Sequence, residues 1–574
     1  MASGSERLEE TPSLALRKLV TREILKSQSD VGELQNRTFI EHPILPNTQI
    51  LGPSFLELPL DFTSCYPILE QSDLVKDRLL YFSKWDKKNF VCWPNYDREW
   101  ESWTERMFKA KEKELTEVGL SHVITFLQNG ILQNPSLIHA ALAFWDPSFN
   151  CFRFNCGMMA PTVLDVSFLI GLPPHGLFFD IALSTEVPFL AEIEYDGKNA
   201  SYKRFLRAER KFSDNVSDRE MFAYIWYTLC KMIFCHGGKK MVLEFAPLAY
   251  VLSKGKTIDL ASHFLGYVYK AGFDNHAKPL NQNLGGPLWF LQIWLLAYFP
   301  DQKVADRSPL NVYEDMFTIL ASTPFTLTGY LQYFHQLRED KEEREFVPFQ
   351  YWGIGPKWIS RLMEQRGRSA YHEAWASILL LREIIIGAYV GGCKQAHAEI
   401  YCPAQFARQF GLVQAIPCPY PGEINIDLTS RNKINKAQVA ILNAEFKSSR
   451  TNFQPYLFAI TIGPPLPAFS KWWHNSIDLY HESAPVKTFT KDIGTGIEEM
   501  THSDSMSDDG FGRDRGTTSQ TSHQEETSKV QSFASVLVAE SVQPLRSVPQ
   551  IMTRSQQQRT TITSPPSGES SWFV

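Results

Sequence analysis

Long apolar runs are what this sequence lacks. The most apolar stretch, Leu288–Phe299, covers 12 residues before Pro300, short of the ~20 residues that a helix needs to cross a bilayer. No membrane span is therefore expected. The opening residues Met1–Glu10 hold no apolar h-region, so no secretory leader is expected, and Ala2 in place of glycine excludes N-myristoylation. Cysteine is sparse as well: nine, odd in number and scattered. Such usage excludes a disulfide framework and suits the reduced thiols of a cytosolic or nuclear protein. A surplus of positive charge is also missing. With 57 Lys and Arg against 63 Asp and Glu, the net charge is −6, which argues against a generally basic nucleic-acid coat but leaves local patches open. No G-x-S-x-G nucleophile elbow occurs, and no repeat of about 20–50 residues is visible.

What the chain does have is apolar and aromatic bulk. Hydrophobic residues make up 44% and aromatics 13%, ample for a large core. The composition divides it in three. Residues 1–50 mix a charged start, one amphipathic segment (Leu14–Lys26) and prolines, and are expected to form a loose arm. Residues 51–480 hold nearly all the tryptophan and phenylalanine and should form the globular body. Residues 481–574 are rich in serine and threonine and should be disordered, because so few apolar groups cannot offset the entropy of ordering. Hydroxyls beside acids, as at Ser503-Asp504 and Ser507-Asp508, make that tail a candidate for phosphorylation.

Helical periodicity dominates the body, so the expected fold class is mainly α: one large helical body with a few short strands. Asp97–Leu115 places Trp100, Trp103 and Met107 on one face. Ser217 with Glu220 caps a helix to Cys235. Thr257–Lys270 follows, with Gly272 read as its terminator. Pro287 is expected at the first position of the helix Leu288–Phe299. Tyr371–Leu380 reads as helix, and Glu383–Val390 is ambiguous between helix and strand.

The densest local instructions lie in Trp145-Asp146-Pro147 through Gly176. Cys151-Phe152-Arg153-Phe154 alternates as a strand does, and Asn155–Gly157 turns the chain. Thr162 with Asp165 makes a capping box for a helix that Gly171 and Pro173-Pro174 close. This stretch closely resembles the signature of the plant mobile domain, a plant family also found inside transposable elements. Leu284-Gly285-Gly286-Pro287-Leu288-Trp289 with Gln292 and Trp294 resembles a second block of that family. Pro247-Leu248-Ala249 and Phe406–Gly411 ahead of Ile416-Pro417 resemble further ones, over roughly residues 55–420. The residues that carry the resemblance are Trp145, Gly157, Asp165, Gly171, Leu172, Pro173, Gly176, Gly285, Gly286, Pro287 and Trp289, and all are expected to be structural. One departure is visible: many members carry Gly-Glu-Met-Thr where this chain has Gly157-Met158-Met159-Ala160, so no role resting on that carboxylate transfers.

Catalytic motifs come close and fail. Ser253-Lys254-Gly255-Lys256-Thr257 resembles the end of a P-loop, but Tyr250 replaces the first glycine. His372-Glu373 starts a zincin-like HExxH in which position 376 is alanine. Gly494-Thr495-Gly496 follows no strand. Cys230/Cys235/His236, Cys151/Cys156 and the distant Cys393 and His397 lack the paired two-residue spacings of structural zinc, so no metal is expected. The family's "aminotransferase-like" label would require a Schiff-base lysine, a phosphate cup and an α/β sheet. The sequence offers neither the cup nor the alternation, so no such activity and no cofactor are expected.

One cluster points to binding. Lys203, Arg204, Arg207, Arg210 and Lys211 fall in an expected helix Ala200–Phe212, interleaved with Tyr202 and Phe205, and helical spacing sets several cations on one face, suited to phosphates. Arg361, Arg366 and Arg368 form a weaker group, and Arg338–Arg344 reads as an exposed face of alternating charge. The expectation is a non-enzymatic nuclear interaction protein. The resemblance implies roles in meristem maintenance and in silencing transposons and repeats. It also implies nuclear protein partners, a phosphatase-like one among the candidates, alongside nucleic acid. The alternative is a domesticated, transposon-derived DNA-binding or metal-dependent nucleic-acid enzyme, which needs converging carboxylates; Asp165, Glu194 and Asp259 are the candidates.

Overall fold

The computed structural model describes residues 39–41, 49–57, most of 90–299, 327–337 in part, 346, 369–418 apart from 391–392, 431–453 apart from 432, and 465–482. All of them lie in the first of two compact units, Met1–Asp509. The tail beyond Glu482, Leu14–Lys26, Arg338–Arg344 and the group Arg361, Arg366 and Arg368 lie outside the described residues.

The body is mainly helical, as the periodicity predicts. Strand β1 (Phe39–Glu41) pairs antiparallel with β2 (Gln49–Leu51), and β3 (Ser54–Phe55) pairs with the later segment Ile416–Pro417. A boundary at residue 50 therefore falls inside a ladder, and the arm's last residues carry a strand. Helix α1 (Arg98–Glu117) starts where Asp97 accepts the N–H groups of Glu99 and Trp100, two of the donors that a helix start leaves without partners. Its buried Trp100 and Trp103 donate to Thr228 and Glu220, each at 3.1 Å. Helices α2 (Ser121–Leu127) and α3 (Pro135–Leu142) follow, then a meander of β4 (Trp145–Asp146), β5 (Cys151–Phe154) and β6 (Gly157–Met159) in that spatial order.

Next come α4 (Val163–Ile170), α5 (Tyr202–Glu209) and α6 (Asp218–Tyr227). The helix expected to reach Cys235 does not stay α-helical: beyond Tyr227 it widens into a π turn over Thr228–Ile233. Helix α5 also ends three residues short of its expected limit at Phe212. Helices α7 (Ala246–Ser253), α8 (Leu260–His276) and α9 (Leu288–Tyr298) complete the central layer. Pro287 stands at the cap of α9, one place ahead of its expected position.

Gly272 does not end α8; it lies inside it. A helix-interior glycine costs about 1 kcal/mol relative to alanine, and here the missing Cβ makes room for a ring. A Cβ at 272 would stand 2.5 Å from the Trp145 indole. Gly266, two turns earlier, lets the helix approach Ile386, whose Cγ2 a Cβ would meet at 2.6 Å. That isoleucine belongs to β7 (Arg382–Val390), which pairs residue for residue with β8 (Cys393–Tyr401). The ambiguous Glu383–Val390 is thus a strand. Only its partner ladder decides this, since a short apolar run has no periodicity of its own.

Helix α10 (Leu327–His335) packs on α3, and α11 (Ser369–Leu379) precedes β7. A 3-10 segment at Pro403–Phe410, β9 (Ile416–Pro417), β10 (Lys433–Ile434), α12 (Lys436–Asn452) and α13 (Pro467–Glu482) finish the described chain. The core centres on stacked rings: Phe152 lies 5.3 Å from Phe154 and 5.4 Å from Trp294, and Phe154 lies 5.1 Å from Phe334. Helix α9 is buried along its whole length, Trp289 and Trp294 included. Among the described residues no helix is long and apolar enough to cross a membrane.

Candidate functional site

The signature folds as a capping box tied to the core. Thr162 Oγ1 accepts the Asp165 N–H at 3.2 Å, and Asp165 Oδ2 accepts the Thr162 N–H at 2.7 Å. The same carboxylate then reaches across to α9, accepting the Trp294 indole N–H at 3.2 Å and the Tyr298 hydroxyl at 2.7 Å. Trp294 and Tyr298 sit four residues apart, on one face of that helix. Burial pushes the Asp165 acid up to about 6, against the lowering pull of its Tyr298, Thr162 and Trp294 donors. Gly171 takes the left-handed conformation expected of a helix-closing residue, φ 74°. Gly157 has φ 129° and backs directly onto the Arg408 guanidinium, which any Cβ would overlap. Arg408 donates to the Cys156 carbonyl at 2.8 Å and lies over the Phe346 ring at 4.1 Å.

Other signature residues also make contacts within the domain. Leu172 is fully buried, the Pro173 carbonyl accepts the Ala261 N–H at 3.0 Å, and Trp145 packs edge-on against Phe152 at 4.9 Å. Gly285 exchanges hydrogen bonds with the Asn275 side chain at 2.7 and 3.1 Å. Gly286 lies against Ala271. Trp289 donates to the Ile233 carbonyl at 2.8 Å.

Beside the loop that ends at Gly176 lies a buried polar cluster. Asp259, just ahead of α8, accepts from the Ser262 N–H and hydroxyl at 3.1 and 2.8 Å and from the Ser377 hydroxyl at 2.7 Å. The buried Arg382 completes the set, 3.4 Å from Asp259 and flat on the Phe446 ring at 4.1 Å. Beside it, Glu373 and Arg450 form an ion pair that grips Gly176 from both sides: its N–H donates to Glu373 at 3.1 Å, and its carbonyl accepts from Arg450 at 3.2 Å. Burial lowers the pKa of the neighbouring His175 imidazole, while Asp259 and Glu373 raise it. Four segments distant in sequence meet here, and their charges are engaged with one another.

The proposed carboxylate trio is described only in part. Asp165 and Asp259 belong to the two separate networks just described, and Glu194 lies outside the described residues. Among the described residues no three His, Cys, Asp or Glu side chains group so as to hold a metal.

The basic helix has a different character. In α5, Tyr202, Phe205, Leu206 and Glu209 are buried, while Lys203, Arg204 and Arg207 face outward. Arg207 contacts the half-exposed Glu99 at 3.2 Å. Beyond the helix end, Arg210 donates to the Glu99 carbonyl at 2.9 Å and Lys211 Nζ to the Ala208 carbonyl at 2.8 Å. Three of the five expected cations are thus presented on one face, and two are engaged with backbone. Phe212, next to them, is 84% exposed.

Residues 119–474 match the family model described as the plant mobile domain. The chain belongs to this family. The plant mobile domain here runs from the end of α1 into α13 and contains the signature meander, the Asp165 tie and the basic helix. Neither a curated protein nor a solved structure matches the chain. Sequence reading missed Arg382 and Arg450 and took Arg408 only as part of a family block; each bridges distant parts of the domain. It passed over Glu373 as half of a failed zinc motif. The spacing of Glu373 and Ser377, one helical turn apart, was the available signal: the first accepts from Gly176 and the second donates to Asp259.

Proposed function

We propose that this protein is a non-catalytic nuclear interaction module, with the outward face of α5 as its contact for nucleic-acid backbone. The observation that supports this reading is a contrast in how charge is used. In the body, carboxylates and guanidinium groups are consumed as ties: Asp165, Asp259–Arg382, Glu373–Arg450, and Glu399–Arg431 at 2.7 Å. On α5, Lys203 and Arg204 have no ion pair among the described residues and project into water. Lysine and arginine so placed neutralise phosphates and release counterions. The resemblance adds the biological setting: silencing of transposons and repeats, meristem maintenance, and a phosphatase-like nuclear protein as candidate partner.

The test is fluorescence anisotropy of the full chain with labelled DNA and RNA across a salt series. Binding should weaken steeply with salt. Replacing Lys203, Arg204 and Arg207 together by glutamate should lower affinity and reduce the log–log salt slope by roughly 0.7–0.9 for each phosphate no longer neutralised. Salt-insensitive binding, or binding unchanged in the triple variant, would remove α5 from the interface. Affinity purification from plant nuclei, with proteins and nucleic acids both identified, tests the partner.

A further inference from the structure

Cys92 and Cys235 are far apart in sequence and meet in the fold. Cys92 lies in the extended segment that joins Leu284 through the Val91 N–H, at 2.7 Å. Cys235 leaves the π turn that ends α6. Both thiols donate to one acceptor, the Lys231 carbonyl, each at 3.3 Å. Cys235 has φ 46°, in the left-handed region that residues with a Cβ seldom enter. A π turn ending in a left-handed non-glycine residue is the kind of irregularity that gathers at functional sites. Cys230, on the same turn, is directed elsewhere, to the Val242 carbonyl at 3.7 Å.

We propose that Cys92 and Cys235 form a redox pair, a dithiol that a peroxide converts to a disulfide and a small thiol restores. The two sulfurs differ as an attacking and a resolving thiol must. Cys92 is the partly exposed one, and Cys235 is fully buried. The neighbouring Cys235 and the Lys231 ammonium lower the Cys92 pKa against its burial, whereas burial first, and then Cys92, raise that of Cys235. In the first step the Cys92 thiolate attacks one peroxide oxygen; the O–O bond breaks, leaving a sulfenic acid and hydroxide. In the second, the Cys235 sulfur attacks the Cys92 sulfur, the S–O bond breaks, and water departs with the Cys235 proton. In sum, two thiols and one hydrogen peroxide give one disulfide and two waters, the sulfurs being oxidised and the peroxide reduced. The pair lies directly beneath the basic helix, because the Tyr202 hydroxyl of α5 donates to the carbonyls of Cys230 and His236, at 3.1 and 3.0 Å.

The experiment exposes the reduced full chain to hydrogen peroxide, alkylates the remaining thiols after denaturation, and maps the peptides by mass. The expected result is one species in which the Cys92 and Cys235 peptides are joined, with the loss of two hydrogens, and which dithiothreitol reverses. Cys92→Ser should abolish it and leave Cys235 fully alkylated. Cys235→Ser should leave Cys92 as a sulfenic acid that dimedone captures. Oxidation of Cys92 in the wild-type chain with Cys235 still free would overturn the proposal, as would Cys92 joined to another cysteine or both thiols remaining reduced. The wild-type map is decisive even where a variant fails to fold.

Discussion

The Asp165 tie and the α5 surface hold polar groups of equal strength in opposite ways. Asp165 has no exposure and is saturated by donors from Thr162, Trp294 and Tyr298. Lys203, Arg204 and Arg207 are exposed, and among the described residues only Arg207 of the three has a carboxylate neighbour, itself half in water. A buried carboxylate that satisfies three side chains fixes how helices pack, and removing it leaves donors with nowhere to turn. Exposed cations contribute little to folding, since surface pairs are worth about 0–1 kcal/mol. Where polar groups saturate one another, then, the role is architectural; where they are left in water, the chain retains charge for a partner.

The contrast breaks most severely if the core side is wrong. Trp294→Ala removes an indole that stacks on Phe152 and donates to Asp165, and should cost about 3–5 kcal/mol in chemical denaturation. A loss under about 1 kcal/mol would place that ring outside the core. Asp165→Ala comes next. It deletes a capping box and strands the Tyr298 and Trp294 donors, at an expected cost of about 2–4 kcal/mol. Loss of a binding activity with unchanged melting would refute the architectural reading.

A pH series sharpens the same side. The folded Asp165 acid stands at about 6, above the ordinary value of about 3.9 for an unfolded chain. The folded state therefore holds this proton more tightly. The stability it contributes is present below about pH 4 and lost as pH rises to about 6. Melting temperatures of the wild type and Asp165→Asn, compared across that window, should diverge in slope, with the asparagine variant flatter. Parallel curves would show that the acid does not titrate there. The smallest effect belongs to α5: reversing Lys203, Arg204 and Arg207 should change stability by no more than about 0.5 kcal/mol at each site. A large destabilisation would make α5 part of the architecture and erase the contrast.

Local chemistry explains what was legible in the sequence. The Thr162–Asp165 box, the Ser217 cap and the Gly171 closure are each written within a few residues, and all three form. Leu288–Phe299 was readable as central because few helices are apolar on every side. What failed was long-range. Gly272 looked like a stop because a glycine beyond an apolar helix usually is one; its reason, the Trp145 ring, lies far back in the chain. Glu383–Val390 stayed undecided because its ladder partner and Gly266 supply the answer from elsewhere. In the cluster around Gly176, no local pattern announces that Glu373 will meet Arg450 or Asp259 will meet Arg382. The π turn was unreadable for a related reason: the residues of a good α-helix are kept, and only the packing widens the register. The five cations are close together in the sequence, but the helix end at Glu209 divides them into three that are presented and two that are anchored.

The contact between Trp145 and Gly272 has an evolutionary reading. One position holds the largest side chain and the other holds none, so neither can drift alone: a methyl group at 272 requires a smaller ring at 145, and a smaller ring at 145 leaves a void over 272. Such linked positions change together or not at all. In a family also carried by transposable elements, copies accumulate substitutions whether or not they still encode a working protein. A copy with a side chain at 272 opposite an intact tryptophan should carry a strained core, and a smaller ring at 145 should relieve it.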